Sequence, residues 1–153
     1  MHDFRVRPPQ STYTGEPAQR LGDAPSQNVA SGMSADIPAG ATGVITIDLA
    51  QVRLNWRALA RLVAPAECAA VVKADAYGLG AARVIPALLD SGCRTFFVAT
   101  LEEARGARAL APGAAIYMLD GLLPRTEKDV AGLCAIPVLS CLDEARALSL
   151  IHI

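Results

Sequence analysis

Cys68-Ala69-Ala70-Val71-Val72-Lys73-Ala74-Asp75-Ala76-Tyr77-Gly78-Leu79-Gly80 is the stretch on which the reading of the fold turns. Five apolar residues run without interruption into a lysine, followed by a tyrosine and two glycines. A strand-length run with no polar alternation predicts a strand covered on both faces, which is the habit of parallel sheets. Lys73 then stands at the carboxyl end of that strand, the edge where sites form in α/β barrels and open α/β sheets alike. From position alone it also reads as a strand-end lysine that extends its amine into solvent.

Outward from this block, strand-like and helix-like segments alternate. Upstream, Val44-Ile45-Thr46-Ile47 predicts a short β-branched strand, and Asp48 can cap a following helix. Leu49, Val52, Trp56, Leu59 and Val63 recur at spacings of three and four, giving that helix an apolar face, and Pro65 ends it. Downstream the pattern predicts a helix from Ala81 to Ser91, a strand from Thr95 to Ala99 and a helix from Leu101 to Leu110. A strand from Ala114 to Leu119, a helix from Pro124 to Leu133, an extended Ile136–Leu139 and a helix from Leu142 onward complete the series.

Such alternation is the mark of parallel βα units. It leaves two architectures open, a doubly wound sheet and a (β/α)8 barrel of the TIM type. A barrel typically takes about 250 residues, so residues 43–153 are expected to hold roughly its first half. Residues 1–42, rich in Pro, Ser, Gly and Gln and lacking apolar periodicity, are expected to be a disordered leader. The run to Ile153 carries no glycine or proline stop, which reads as a helix left unfinished by truncation.

Composition removes several classes of function. With 14 basic and 15 acidic residues the formal net charge is −1, and the basic residues are not clustered, so no nucleic acid partner is expected. The two histidines, His2 and His152, sit at the ends of the chain, leaving a His-based zinc site or a Ser-His hydrolase without its central residue. No metal site is expected. Cys68, Cys93, Cys134 and Cys141 form no C-x-x-C pair, fall in or beside apolar segments and are expected to be buried free thiols in a reducing compartment. No segment reaches the about 18–20 apolar residues needed to span a bilayer, and no secretory signal is evident. A cytoplasmic protein without a membrane partner is the expectation.

Lys73 gains weight from usage, because the chain has 12 arginines and only two lysines. The other, Lys128, lies in a charged helical segment and needs no role. Chemistry that requires lysine and cannot use arginine is Schiff-base formation, where a neutral amine attacks a carbonyl. Tyr77, in a turn that leads through Gly78 and Gly80 into a helix, can offer a phenol to a phosphate near that helix's N-terminus, although a lone G-x-G is a weak signal and a plain turn is its more ordinary reading. The block is no nucleotide P-loop.

Val71-Val72-Lys73-Ala74-Asp75-Ala76-Tyr77-Gly78-Leu79-Gly80 resembles the cofactor-attachment signature of the alanine racemases, usually V-V-K-A-N-A-Y-G-H-G. Ile45-Thr46-Ile47-Asp48-Leu49 with Asn55 is similar to the family's opening segment. Phe97–Ala104 and Ile116–Gly121 are similar to its next two strands, so the resemblance runs from about residue 43 to 148. Two positions depart from the usual signature: Asp75 replaces asparagine and Leu79 replaces histidine. Asp75 would bring a negative charge near an anionic cofactor unless its side chain turns away.

The resemblance implies a pyridoxal 5'-phosphate enzyme in which Lys73 carries the cofactor and serves as one catalytic base, and Tyr77 binds the cofactor phosphate. It implies racemisation of alanine, a small amino-acid substrate, to supply D-alanine for peptidoglycan, by a protein that is a homodimer when full length. In the family the second base is a tyrosine from the C-terminal part of the other subunit. The strand around Ile45 belongs, by resemblance, to a β-rich C-terminal domain absent from this chain, and is expected to be left unpaired. The fragment alone is then expected to be inactive and prone to associate. Two alternatives stay open: a non-catalytic pyridoxal-phosphate-binding homeostasis protein of the same barrel type, and a truncated product without function.

Overall fold

The computed structural model describes residues 40–150. The chain divides into two units, residues 1–44 and 45–153. Of the first, only residues 40–44 are described; they are exposed and carry neither helix nor strand. The expected leader therefore lies almost wholly outside the described residues, as do the last three residues of the chain.

The second unit opens with the one element that fails to form. Ile45, Thr46 and Ile47 are exposed, Ile45 by 90%, and no strand is present. A strand exists by virtue of a neighbour that accepts and donates its main-chain hydrogen bonds, and none lies beside this segment among the described residues. Asp48 does cap helix α1 (Leu49–Val63), its Oδ1 accepting the N–H groups of Ala50 at 2.8 Å and Gln51 at 3.3 Å. Only the first half of the helix's apolar face packs on the core, through Leu49, Val52 and Trp56. Leu59 and Val63, expected on the same face, stay 54% and 41% exposed.

Four strands follow: β1 (Ala70–Val71), β2 (Thr95–Val98), β3 (Ala115–Met118) and β4 (Ile136–Pro137). They are joined by helices α2 (Ala81–Asp90), α3 (Leu101–Leu110) and α4 (Glu127–Gly132), and α5 (Leu142–Ser149) closes the series. The strands pair in parallel in the order β1-β2-β3-β4. A doubly wound sheet needs a reversal of strand order, with helices on both faces. Here the order never reverses, and a single face is buried in the main core. Ala70, Val72, Phe96, Val98, Ile116 and Met118 pack in one core with Val84, Ile85 and Leu88 of α2, Ala104 and Ala107 of α3, and Val130 of α4.

The opposite face carries one row of paired positions, Val71, Phe97, Tyr117 and Ile136. Val71 is 46% exposed, and the Phe97 and Tyr117 rings stack with centroids 4.8 Å apart. A sequential parallel sheet with helices outside and a row of large side chains inside is part of a (β/α)8 barrel. Continuous apolarity in the sequence predicted strands covered on both faces, and this inner face is where the described residues leave them open.

Candidate functional site

Lys73 opens the turn that leaves β1. Val72 before it is buried with φ −125° and ψ 20°, so the extended backbone has already ended, and Lys73 itself is half-buried. Ala74, Asp75, Ala76 and Tyr77 then have φ between 51° and 56°, making a single helical turn of left-handed sense, and Gly78 continues at φ 82°. For L-residues this conformation costs about 1–2 kcal/mol each, so four in succession require compensation from their surroundings. Local composition predicted only a turn, since no sequence pattern of non-glycine residues signals that hand.

The compensation is a dense set of hydrogen bonds. Ala76 N–H donates to the Val72 carbonyl at 2.9 Å, Gly78 N–H to Ala74 at 2.9 Å and Gly80 N–H to the Asp75 carbonyl at 2.9 Å. The Asp75 side chain accepts the N–H of Ala81, first residue of α2, at 2.7 Å. The carboxylate thus lies on the positive end of the helix, where a negative charge is favoured. Its departure from asparagine leaves this bond intact, because either side chain offers an oxygen.

Glu103, a residue singled out by no motif, supplies the remaining anchor. One of its carboxylate oxygens accepts the Ala74 N–H at 2.8 Å and the other the Ala99 N–H at 2.7 Å. It therefore joins the carboxyl ends of β1 and β2. A signal was present in Thr100-Leu101-Glu102-Glu103, the S/T-x-x-E pattern of a helix start. Thr100 does cap α3 by accepting the Glu103 N–H, but the glutamate reaches one residue further back than the capping box requires, and sideways to another strand.

Two cavities flank the turn. A cleft of about 470 Å³ is lined by Asp75, Leu79, Gly80 and Arg83 together with Ile47 and Leu49. A second, of about 290 Å³, lies between the turn, α2 and α3 and includes Val72, Asp75, Ile85, Val98 and Glu103. Neither Lys73 nor Tyr77 lines either one. Tyr77 is 62% exposed at the end of the turn. Both predicted site residues sit in the same turn, but the described residues do not enclose them in a common pocket. No carboxylate among the described residues is ion-paired to the Lys73 amine.

The family model for the N-terminal domain of alanine racemase matches residues 47–152. The chain belongs to the alanine racemase family. Alanine racemase of Brucella ovis is 52% identical over 112 residues, which are 72% of this chain and 28% of that protein. The crystal structure of alanine racemase from Bartonella henselae, with covalently bound pyridoxal phosphate, superposes with a TM-score of 0.67 at 44% identity, over 69% of this chain and 30% of that one. Biosynthetic alanine racemase from Pseudomonas aeruginosa gives 0.60 at 36% identity, over 67% and 29%. The chain thus spans a little over a quarter of the length of the alanine racemases it matches. The barrel, one of the two architectures that the alternation of elements left open, is the fold of this family domain.

Proposed function

We infer that the protein containing this alanine racemase domain is a pyridoxal-phosphate-dependent racemase of alanine, and that Lys73 is its cofactor lysine. The observation that carries the reading is the placement of Lys73. Lys73 is a half-buried residue, without an ion-pair partner among the described residues, at the carboxyl edge of a parallel sheet and at the start of a strained turn. Strain of this kind gathers at functional sites, where the surroundings over-determine it. The donor set suits the group. Lys73 offers a primary amine for an aldehyde and Tyr77 a phenol for a phosphate. Asp75 and Glu103, the acids that bond the turn, have oxygens committed to main-chain N–H groups.

Bound there, pyridoxal phosphate supplies an electron sink that lowers the barrier to forming a carbanion at the amino-acid Cα. Lys73 binds it and, with its amine free, moves a proton to and from one face of Cα. Return of a proton on the other face needs a second base, which the described residues do not supply beside Lys73; Tyr117 is on β3, stacked on Phe97. On this reading residues 43–153 are the first part of the barrel, and the domain by itself is inactive. The full-length protein is a cytoplasmic homodimer that supplies D-alanine for peptidoglycan.

Addition of pyridoxal phosphate, reduction with borohydride and peptide mapping test the assignment. Label is expected on Lys73 and absent from Lys73→Arg. Racemisation of alanine is expected from the full-length protein and not from the 153-residue chain. A cofactor mapped to Lys128, or to no lysine in a folded full-length protein, would overturn the reading.

A further inference from the structure

A short sequence occurs twice in the chain. Ala99-Thr100-Leu101-Glu102-Glu103-Ala104-Arg105 and Ser140-Cys141-Leu142-Asp143-Glu144-Ala145-Arg146 share Leu, Glu, Ala and Arg at the same offsets. Each begins after an even-numbered strand and places its second acid at the third position of the following helix. In the second copy Glu144 accepts the Ser140 N–H at 3.0 Å and the Ser140 hydroxyl at 2.7 Å. It also lies across the end of β3, so close to Gly121 that a Cβ there would meet its Oε2 at 2.7 Å. In the first copy Glu103 accepts the Ala99 N–H and, beyond the end of β1, the Ala74 N–H.

Both carboxylates therefore close their own strand-to-helix turn by bonding the N–H four residues back, and both reach sideways to the end of the preceding strand. The difference lies in what they reach. Glu144 meets the glycine turn at Gly121 and the Leu122 N–H beyond it, whereas Glu103 holds the N–H of the residue directly after Lys73. The peptide unit is planar, so anchoring the Ala74 N–H also fixes the Lys73 carbonyl. It thereby restricts the ψ rotation that orients Lys73 relative to the left-handed turn. The bond is charge-assisted and so roughly twice as strong as a neutral one. A glutamine could not replace it fully, having one acceptor oxygen for two N–H donors.

We propose that Glu103 is a positioning residue for Lys73: its carboxylate pins the Ala74 N–H, holds the left-handed turn and so aims the lysine amine, while Glu144 is the same device used for structural closure alone. The proposal rests on Lys73 being the cofactor lysine.

The test uses the full-length protein loaded with pyridoxal phosphate, as wild type, Glu103→Gln and Glu144→Gln. Borohydride label on Lys73 of the wild type establishes the underlying reading; label elsewhere overturns both. Hydrogen exchange of the segment 72–81 is then compared in the folded proteins, with the pH titration of the visible absorption of the lysine-bound cofactor. Glu103→Gln is expected to exchange faster over 72–81, to shift that titration and to lose kcat on the order of 10- to 100-fold with KM little changed, the scale of a small misplacement of reacting groups. Glu144→Gln is expected to match wild type in all three while melting at a lower temperature. If Glu103→Gln does not fold, Glu103→Asp, which keeps the charge but withdraws it by one methylene, takes its place in the same comparison. Wild-type exchange and titration in the Glu103 variant, or equal losses in the Glu144 variant, would overturn the proposal while leaving Lys73 as the cofactor lysine.

Discussion

The Asp75 carboxylate accepts the Ala81 N–H at 2.7 Å, so the residue in the middle of the left-handed turn caps the helix that follows it. Helix α2 begins after Gly80, which has no side chain with which to cap, and the donor at its first turn is satisfied from six residues upstream. Asp75→Asn is expected to change stability little. Asp75→Ala is expected to cost about 1 kcal/mol, the usual value of a lost N-cap, read from the urea midpoint. Equal stability of the alanine and asparagine variants would show that this bond does not hold the turn.

Arg108 is the structural anchor at the opposite end of the strands. Its guanidinium donates to the carbonyls of Ala111 (3.3 Å), Pro112 (2.8 Å) and Ala114 (2.7 Å), and to Leu133 and Cys134 at 3.0 Å each. Five acceptors from two loops suit the fixed fork of arginine and not the point charge of lysine. Arg108→Ala is expected to lose about 2–3 kcal/mol, the scale of hydrogen bonds to a charged group. Arg108→Lys is expected to recover less than half. Chemical denaturation of both variants decides it, and full recovery by lysine would rule out the fork as the cause.

The four free cysteines should separate by reactivity. Cys93 is fully buried, with its Sγ bonded to the Thr95 carbonyl, and burial pushes its thiol up from its ordinary value. Cys134 and Cys141, expected from their apolar neighbours to be buried, are instead exposed. Iodoacetamide at pH 8 followed by peptide mapping is expected to modify the exposed pair first and Cys93 only on unfolding, because the thiolate is the reactive form. Labelling of Cys93 at the rate of Cys134 would contradict this packing.

Glu144 predicts a pH dependence. The Ser140 N–H and hydroxyl, and then the Leu122 N–H, lower its carboxyl from its ordinary value. A group with a lowered folded pKa contributes stability that is fully present above its unfolded pKa and is lost as pH falls through the folded value. The difference in melting temperature between wild type and Glu144→Gln is therefore expected to be constant near neutrality and to shrink in acid, as the pH falls from the ordinary carboxylate value through the lowered folded one. A difference that stays constant into strong acid would assign it to packing over Gly121.

Much of the fold was legible because the relevant signals are local. The apolar runs at Thr95–Val98 and Ala115–Met118 and the helical spacing around Leu101 and Ala104 lie within a few residues of one another, and those elements formed as expected. Val44–Ile47 had the same β-branched signal and formed no strand, because a strand's hydrogen bonds belong to its neighbour. Leu59 and Val63 share the apolar period of α1 yet stay exposed, since periodicity identifies a face without saying how far along it the core extends.

The amino-acid order by itself determined the alternation of strand and helix, the cap at Asp48, and the one lysine placed at a strand's carboxyl end. Only the tertiary structure decided between a reversed and a sequential sheet, because strand order is set by packing between segments that carry no code for one another. It alone decided the left-handed sense of Ala74–Tyr77. That hand is unfavourable locally and persists through bonds from outside the turn, above all from Glu103, 29 residues from Ala74 in sequence and 2.8 Å from its N–H.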